Sequence, residues 1–549
     1  MGIVVLMRLA SFRDKQVSLA NLAFFLVPQI LFWVGILQNI TLPGLYYDEA
    51  GNDSNVPSII NNSLNNPQML FPGVLIPLLS SLYQGIPATY SSWLVLSVFG
   101  SNIFTIRIAH AIYGSLTLLF FQLLLKSMRK KRRLSFFVCI LFATDMAYIA
   151  CYRDQYQAVL TGAPFLILSL YLSYMIGQST RSKKWVYGAG IALGFSMYCY
   201  FPYLFFLIPL AVYIYIIKPS STRWLRFRYW ITGVFLGLLP FIAGYFSMYL
   251  WAGRNWAVFT STIDSMRTQI NPLSSSFSYL EKVQITLDLL RSALTNAGNS
   301  AMILGTDVPL ALIKWNLGFV SLIITFAAVI VLVFALKSFR SNRFYLLIIF
   351  LILSFFLSIS FFGSRLGPWH FTPLIPLTYL LLFIVLAQAA DLITNLQFSK
   401  RIKQLFAALV IIIGLGSLSL NFLQQKTFHE QLKITGGVGM MTDALTTMQY
   451  DAINEGDKSF YFFPEWGFST SFAMITDNRI RFSYDTRAEV FKSELLQGRN
   501  LAILTWSEEN AKKWVGELEL LDSQSRVDII PYYTRQGMVA FYKVVAFAK

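Results

Sequence analysis

Two adjacent carboxylates give this sequence its clearest chemical signal. Asp48 and Glu49 follow the first apolar run by a few residues, and no Lys or Arg occurs between positions 41 and 106 to neutralise them. Most acidic pairs of this kind simply face water. For this pair, the further ionisable residues near the ends of the apolar runs favour a functional site over a solvated loop.

Further ionisable residues recur near the ends of apolar runs. Arg107 and His110 are three positions apart, which places them on one face of a helix. Guanidinium groups match phosphate oxygens in shape and charge, and charged residues at membrane depth tend to mark a site. Together these residues predict a cavity for a phosphate-bearing lipid. The other members of the set are Asp145, Arg153, Asp154, Arg254, Arg365 and His370.

The composition indicates that membrane-spanning helices position these residues. The chain has 549 residues, of which 56% are apolar and 13% charged, and its mean hydropathy is +0.56. Soluble proteins carry about 25% charged residues, so the composition excludes a soluble enzyme and predicts a polytopic α-helical membrane protein.

Three cysteines are too few for a disulfide framework or a Cys-based zinc site. The apolar runs predict about 11 transmembrane helices, at residues 18–40, 108–125, 134–151, 158–176, 185–200, 201–217, 229–251, 316–336, 344–362, 371–390 and 404–424.

Basic residues cluster in every second connection between these runs. Residues 1–424 hold 30 Lys and Arg against 11 Asp and Glu, whereas residues 425–549 hold 14 against 16. This positive-inside pattern predicts a multi-pass protein of the plasma (inner) membrane with a cytoplasmic amino terminus. An odd number of spans then places the carboxyl-terminal tail outside the cell. The net charge of +17 is therefore explained by membrane lipid and not by nucleic acid.

Two domains are predicted from the distribution of these runs. Residues 1–424 form a transmembrane domain with two large outer loops, at 41–106, where interfacial helices are expected, and at 252–308. Residues 425–549 are long enough for a core of their own and predict a small extracytoplasmic α/β domain. Its expected strands lie at 459–463, 501–505 and 538–546, and its expected helix lies at 508–521.

Several short motifs resemble the GT-C membrane glycosyltransferases, and in particular the protein O-mannosyltransferase and aminoarabinose-transferase branch. Asp48 and Glu49 match the acidic pair that is the family's catalytic signature in the first loop. The stretch FGSNIFTIRIAHAIYG, which opens the next span, is similar to the corresponding region of the family. PEWGF, at 464–468, resembles a turn in the outer tail of many bacterial members. The chain departs from the family at Asn66 and Pro67, where a His-Pro or Lys-Pro is usual.

A second acidic-and-Arg motif of the family follows its third span. The stretch ATDMAYIACYRDQYQAVL resembles this motif and would place Arg153 and Asp154 in the site. The spacing leaves Asp145 and Gln155 as alternative counterparts.

The resemblance implies an enzyme that transfers a sugar from a polyprenyl-phosphate donor to an acceptor at the outer face, with inversion. Asp48 would be the general base, and Glu49 and Asp154 would orient it. No cofactor is required, although these three carboxylates could hold a divalent cation such as Mg, Mn or Zn. The acceptor could be a protein, a glycolipid or a wall polymer. The expected phosphate-binding residues are Arg153, Arg365, Arg254, Arg107 and His370.

Two other functions share features with this interpretation. An outer-face ligase or polymerase of lipid-linked glycans would use the same donor chemistry, but it usually relies on an Arg-rich outer loop. A lipid or glycan transporter would place ionisable groups near mid-bilayer, on interrupted helices. Here most of them lie toward the outer ends of the spans, which favours the transferase.

Overall fold

The computed structural model is mostly helical. It describes residues 19–51, 78–81, 83–128, 131–154, 158–178, 183–217, 222–251, 254–257, 260–261, 277–305, 343–395, 399–485, 487–521 and 526–548. The helices up to the second outer loop are α1 Leu19–Leu37, α2 Tyr47–Gly51, α3 Pro87–Phe99, α4 Ile103–Ser127, α5 Arg132–Ala143, α6 Met146–Arg153, α7 Ala158–Thr161, α8 Ala163–Gln178, α9 Lys183–Cys199, α10 Leu207–Ile216 and α11 Arg223–Trp251. Those that follow are α12 Tyr279–Leu294, α13 Ala297–Leu304, α14 Arg343–Ile359, α15 Leu374–Asn395, α16 Lys400–Thr435, α17 Ala444–Glu455, α18 Ser469–Ile475, α19 Ala488–Leu496 and α20 Glu508–Leu521.

Seven helical segments of the described chain are long and apolar enough to cross a membrane, which makes the protein an integral, multi-pass membrane protein. An eighth results if α5 and α6, which meet at a 49° bend, form one broken span. The expected span at 185–200 corresponds to the 17-residue helix α9, and the one at 201–217 to the shorter apolar segment Phe201–Ile216. The expected span at 316–336 lies outside the described residues. The count of 11 spans therefore stays a prediction.

Helices α9 and α11 cross at backbone contact. Each carries two glycines four residues apart, Gly190 and Gly194 on α9 and Gly233 and Gly237 on α11. A Cβ atom added at Gly190 would lie 2.2 Å from the carbonyl oxygen of Trp230. Small residues at this spacing let two apolar helices approach closely, which gains packing where no hydrophobic effect acts between them.

The start of α4 is fixed by a reciprocal cap. The Asn102 side chain accepts a hydrogen bond from the Thr105 amide at 3.0 Å, and the Thr105 hydroxyl accepts one from the Asn102 amide at 3.2 Å. Such a capping box defines the first helical turn. Arg107 therefore lies just inside the amino-terminal end of α4.

The carboxyl-terminal tail contains a five-stranded sheet with helices on both faces. Its order is β4-β3-β5-β7-β6, where β3 is Ser459–Phe462, β4 Phe482–Ser483, β5 Asn500–Thr505, β6 Val527–Tyr533 and β7 Val539–Ala546; β1 (Leu79–Ser81) and β2 (Gln84–Gly85) form a separate hairpin. Strand β3 runs parallel to β4 and β5, and β7 is antiparallel to its two neighbours. Alternate residues of these strands pack under α17 and α18 on one face and under α19 and α20 on the other. The expected strands and the helix at 508–521 are thus present.

The tail packs directly against the first loop. Helix α16 has 36 residues and would be roughly 54 Å long at 1.5 Å per residue, so it extends well past the predicted span at 404–424. Its last turns share an apolar cluster with the first loop, α6, α13 and the start of the tail. The buried members of this cluster are Leu42, Tyr46, Met146, Ala150, Ile303, Leu304, Phe428, Leu432 and Met441.

Candidate active site

The two carboxylates of the acidic pair occupy different environments. Both lie in the first turn of α2, where Asp48 is half-buried and Glu49 is fully buried. The Tyr46 hydroxyl donates to Asp48 Oδ2 at 2.9 Å, and the Tyr46 amide donates to Glu49 Oε2 at 3.3 Å. Burial, reinforced by the Asp48 carboxylate, raises the pKa of Tyr46 well above its usual range, so this hydroxyl stays protonated and remains a donor.

Glu49 is neutralised by an arginine from α4. Arg107 Nε lies 2.9 Å from Glu49 Oε1, Nη2 lies 3.2 Å from Oε2, and neither side chain is exposed. The other donors of Arg107 reach the carbonyl oxygens of Ile40, at 2.7 Å, and Gly44, at 3.3 Å. This guanidinium therefore holds both ends of the segment that leads into α2.

Arg153 binds the preceding segment in the same way. Its Nε donates to the carbonyl oxygen of Ile36 at 3.1 Å, near the end of α1. Nη2 donates to the carbonyl oxygens of Gln38 at 2.8 Å, Leu42 at 3.0 Å, and Asn39. A cation that binds the last carbonyls of a helix satisfies groups without an intrahelical partner. Arg107 and Arg153 together fix the chain from the end of α1 to Glu49.

Asp154 lies beside these arginines. It is fully buried, its Oδ1 accepts from Arg153 Nη1, and its Oδ2 has no hydrogen-bond partner within the described residues. Burial raises the pKa of this carboxyl, against the opposing effect of the two guanidinium groups of Arg153 and Arg107.

Asp145 is engaged elsewhere. Its Oδ1 accepts from the Ala147 amide at 2.8 Å as the cap of α6, and its Oδ2 accepts from the Tyr379 hydroxyl at 2.6 Å. Gln155, the other alternative, lies outside the described residues.

His370 pairs with an aromatic hydroxyl. Its Nε2 lies 3.3 Å from the Tyr200 hydroxyl, and its Nδ1 accepts from the Gly367 amide at 3.0 Å. Burial lowers the pKa of His370 to about 4, so the ring is neutral near pH 7. Burial also raises the pKa of Tyr200, and the negative charge of Asp48 adds to this effect. Tyr200 is therefore in electrostatic reach of Asp48.

The remaining candidates belong to three other segments of the chain. His110 is fully buried in α4. Arg254 follows α11 in an exposed turn, with a φ of 60°. Arg365 ends the short 3₁₀ segment Ser360–Arg365, and its side chain lies outside what the structure describes.

Each of the three possible metal ligands already binds a donor of the protein: Asp48 the Tyr46 hydroxyl, Glu49 Arg107, and Asp154 Arg153. In the described part of the chain, no three His, Cys, Asp or Glu side chains come together in a group that could hold a metal ion. Glu49 and Asp154 are each paired with an arginine, which disfavours a cation beside them.

Sequence reasoning did not identify the aromatic residues of the site. Tyr46 holds Asp48, Tyr200 holds His370, and Trp466 of the tail packs on the ring of Tyr47 at 4.7 Å between centroids. The available signals were the two tyrosines directly before Asp48 and the PEWGF turn, but neither one indicates which long-range partners it meets.

The predicted resemblance to the GT-C membrane glycosyltransferases is confirmed by a family model and by solved structures. The model of the dolichyl-phosphate-mannose-protein mannosyltransferase family matches residues 84–245. A search of curated proteins finds no significant match.

Solved structures show the same fold over almost the whole chain. The crystal structure of ArnT from Cupriavidus metallidurans bound to undecaprenyl phosphate has a TM-score of 0.60 at 12% identity, covering 96% of this chain and 97% of that one. Its apo state has a TM-score of 0.57 at the same identity and coverage. The S. cerevisiae protein O-mannosyltransferase Pmt1-Pmt2 complex bound to the sugar donor has a TM-score of 0.32 at 18% identity, over 44% of this chain and 35% of that one. This score is too low to support a shared fold.

Proposed function

We propose that the protein is a glycosyltransferase that moves a sugar from a polyprenyl-phosphate donor to an acceptor hydroxyl at the outer face of the plasma membrane. The observation that carries this proposal is the half-buried Asp48 carboxylate, presented by a loop that two buried arginines hold in place. The shared fold with a transferase that binds undecaprenyl phosphate supports a polyprenyl-linked donor.

In the proposed reaction, the acceptor oxygen attacks the anomeric carbon of the donor as Asp48 removes its proton. A bond forms between this oxygen and the anomeric carbon, and the bond to the phosphate oxygen breaks on the opposite side. Polyprenyl phosphate leaves with the bonding electron pair, and the sugar inverts. The hydrogen bond from Tyr46 orients the Asp48 carboxylate toward the acceptor.

We assign Arg107, Arg153 and Glu49 to positioning. The guanidinium donors of both arginines already bind protein carbonyl or carboxylate oxygens. A donor phosphate would have to displace these bonds at the cost of unsatisfied buried groups. Phosphate binding is therefore assigned to Arg365 and Arg254, with the neutral His370 as a hydrogen-bond donor. Asp154 is the proposed counterpart of the second acidic motif, because Asp145 is committed to a helix cap.

The proposed function is tested with purified protein and a panel of polyprenyl-phosphate sugars. We expect at least one donor to release polyprenyl phosphate faster in the presence of protein. Thermal unfolding in the same detergent shows that the protein tested is folded. A folded protein that releases polyprenyl phosphate from none of the donors, with or without sugar, peptide and wall-polymer acceptors, would contradict the proposal.

The orientation of the chain has its own test. We expect a reporter that is active only outside the cytoplasm to be active when fused after Lys549, because the basic connections alternate along the chain. The same reporter fused in the basic connection at 218–228 should be inactive. The reverse pattern would place Asp48 in the cytoplasm and contradict an outer-face reaction.

A further inference from the structure

An exposed tryptophan contacts the tyrosine that holds Asp48. The Trp466 ring is centred 4.7 Å from the Tyr47 ring and 6.5 Å from the Tyr46 ring, and the Tyr46 hydroxyl holds Asp48. Trp466 is nevertheless 51% exposed. A large aromatic ring half-open to its surroundings beside a catalytic carboxylate is available to a ligand.

The turn that carries Trp466 is rigidly built. Glu465 accepts from the Trp506 amide at 2.8 Å and from Asn510 at 2.7 Å, which anchors the turn to the end of β5. Trp506 also donates from its ring to the Trp466 carbonyl at 2.8 Å. Phe468 is fully buried and stacks on Trp506 with ring centroids 4.1 Å apart. The turn thus buries one aromatic ring and presents the other.

The turn is also fastened to the first loop. The Thr470 hydroxyl donates to the Tyr47 carbonyl at 2.5 Å. Trp466 and Tyr47 therefore form a neutral aromatic surface, contributed by the tail and the first loop, beside the base.

This surface lies on the tail side of Asp48, whereas Tyr200 and His370 belong to segments that adjoin the spans. A polyprenyl donor keeps its lipid in the bilayer, so the span side is the donor's. The acceptor hydroxyl must come within hydrogen-bond reach of Asp48 from the remaining side.

We propose that Trp466, with Tyr47, is an acceptor subsite that takes the pyranose ring of a glycan or glycolipid. The inference rests on the proposed function. The C–H face of a pyranose packs on an aromatic ring of this kind. No member of this surface carries a charge that would favour a charged acceptor over a neutral sugar ring.

The test measures transfer from the cognate polyprenyl-phosphate sugar to octyl pyranosides and to a Ser/Thr peptide. We expect Trp466→Ala to raise the KM for the preferred pyranoside about tenfold, which corresponds to a lost ring contact of ordinary strength. The kcat, and the donor-only hydrolysis that releases polyprenyl phosphate, should change less than twofold. Trp466→Phe should restore most of the affinity. Trp224→Ala is the matched control, because this ring is 63% exposed at the start of α11 and should have no effect on KM.

Each outcome distinguishes the two proposals. Wild-type protein that hydrolyses the donor but uses no pyranoside, or that prefers the peptide, overturns the subsite and leaves the transferase intact. An unchanged KM in Trp466→Ala also overturns the subsite alone. The same holds if Trp224→Ala raises the KM as much as Trp466→Ala does, because aromatic rings that only anchor the protein at the membrane interface would give that result. Wild-type protein that acts on no donor contradicts the proposed function itself.

Discussion

Arg107 on α4 binds Glu49 on α2 through two parallel hydrogen bonds, of 2.9 and 3.2 Å, between side chains that are both fully buried. The planar guanidinium matches the shape of the carboxylate, so the pair fixes the orientation of the Glu49 side chain as well as its distance from Arg107. Since Asp48 is the residue directly before Glu49, its position is set by α4 and not by the loop alone.

Breaking this pair should destabilise the protein. We expect Arg107→Met to lower the free energy of unfolding by about 3–5 kcal/mol, because Glu49 would be left as an unpaired buried charge. Arg107→Lys should recover only part of this loss, since it lacks the fork. The double variant Arg107→Met/Glu49→Met should be more stable than Arg107→Met. Thermal unfolding in detergent measures these differences.

An exposed pair serves as the control for this prediction. Lys512 and Glu508 form an ion pair on the surface of α20, so Lys512→Met should leave the unfolding temperature unchanged. If Arg107→Met were as harmless as Lys512→Met, Arg107 could not be holding the first loop.

Tyr46 should control the pH dependence of the reaction. Its hydroxyl donates to the charged form of Asp48, and such a bond favours the ionised carboxylate. We therefore expect Tyr46→Phe to move the acid limb of the pH–rate profile to higher pH, with a smaller loss of rate at alkaline pH. A profile that falls uniformly, with no shift of its acid limb, would contradict the role given to this hydroxyl.

His370 should make stability depend on pH. Its folded pKa of about 4 lies below the ordinary value of 6.5, so the unfolded chain binds more protons between these values. The stability contributed by the neutral ring is present above the ordinary value and is lost as the pH falls toward 4. We expect the unfolding temperature of wild-type protein to drop more than that of His370→Gln between about pH 7.5 and about pH 5. Equal drops in the two proteins would show that His370 is not held neutral.

The fold was predictable where the sequence repeats a strong local pattern. Long apolar runs such as Leu19–Leu37 and Ile103–Ser127 determine helices by their own composition. The strands at Asn500–Thr505 and Val539–Ala546 are runs rich in apolar and β-branched residues and are equally local signals. The 49° bend between α5 and α6 and the continuation of α16 to Thr435 depend on packing against distant elements, which no local pattern reports.

In the site, too, some features follow from the local sequence and others depend on distant residues. Asp48 and Glu49 stand out because they are adjacent and have no basic neighbours in the sequence. Their different environments arise from Arg107, which is 58 positions after Glu49. Arg153 was predicted to bind phosphate, yet it meets carbonyls more than 110 positions away, near the end of α1. Charge alone indicates that an arginine needs an anion or a dipole, but only the fold determines which one it binds.

The most direct test of the account is turnover by Asp48→Asn. The amide is nearly the same size and can keep the hydrogen bond from Tyr46, so the unfolding temperature and donor binding should match the wild type. It cannot accept a proton, and positioned base catalysis contributes about 10²–10⁴-fold. Asp288→Asn, on the exposed face of α12, is the matched control and should keep full activity. We predict that Asp48→Asn loses at least 10²-fold in the rate of sugar transfer; transfer at near wild-type rate from the cognate donor would contradict the account.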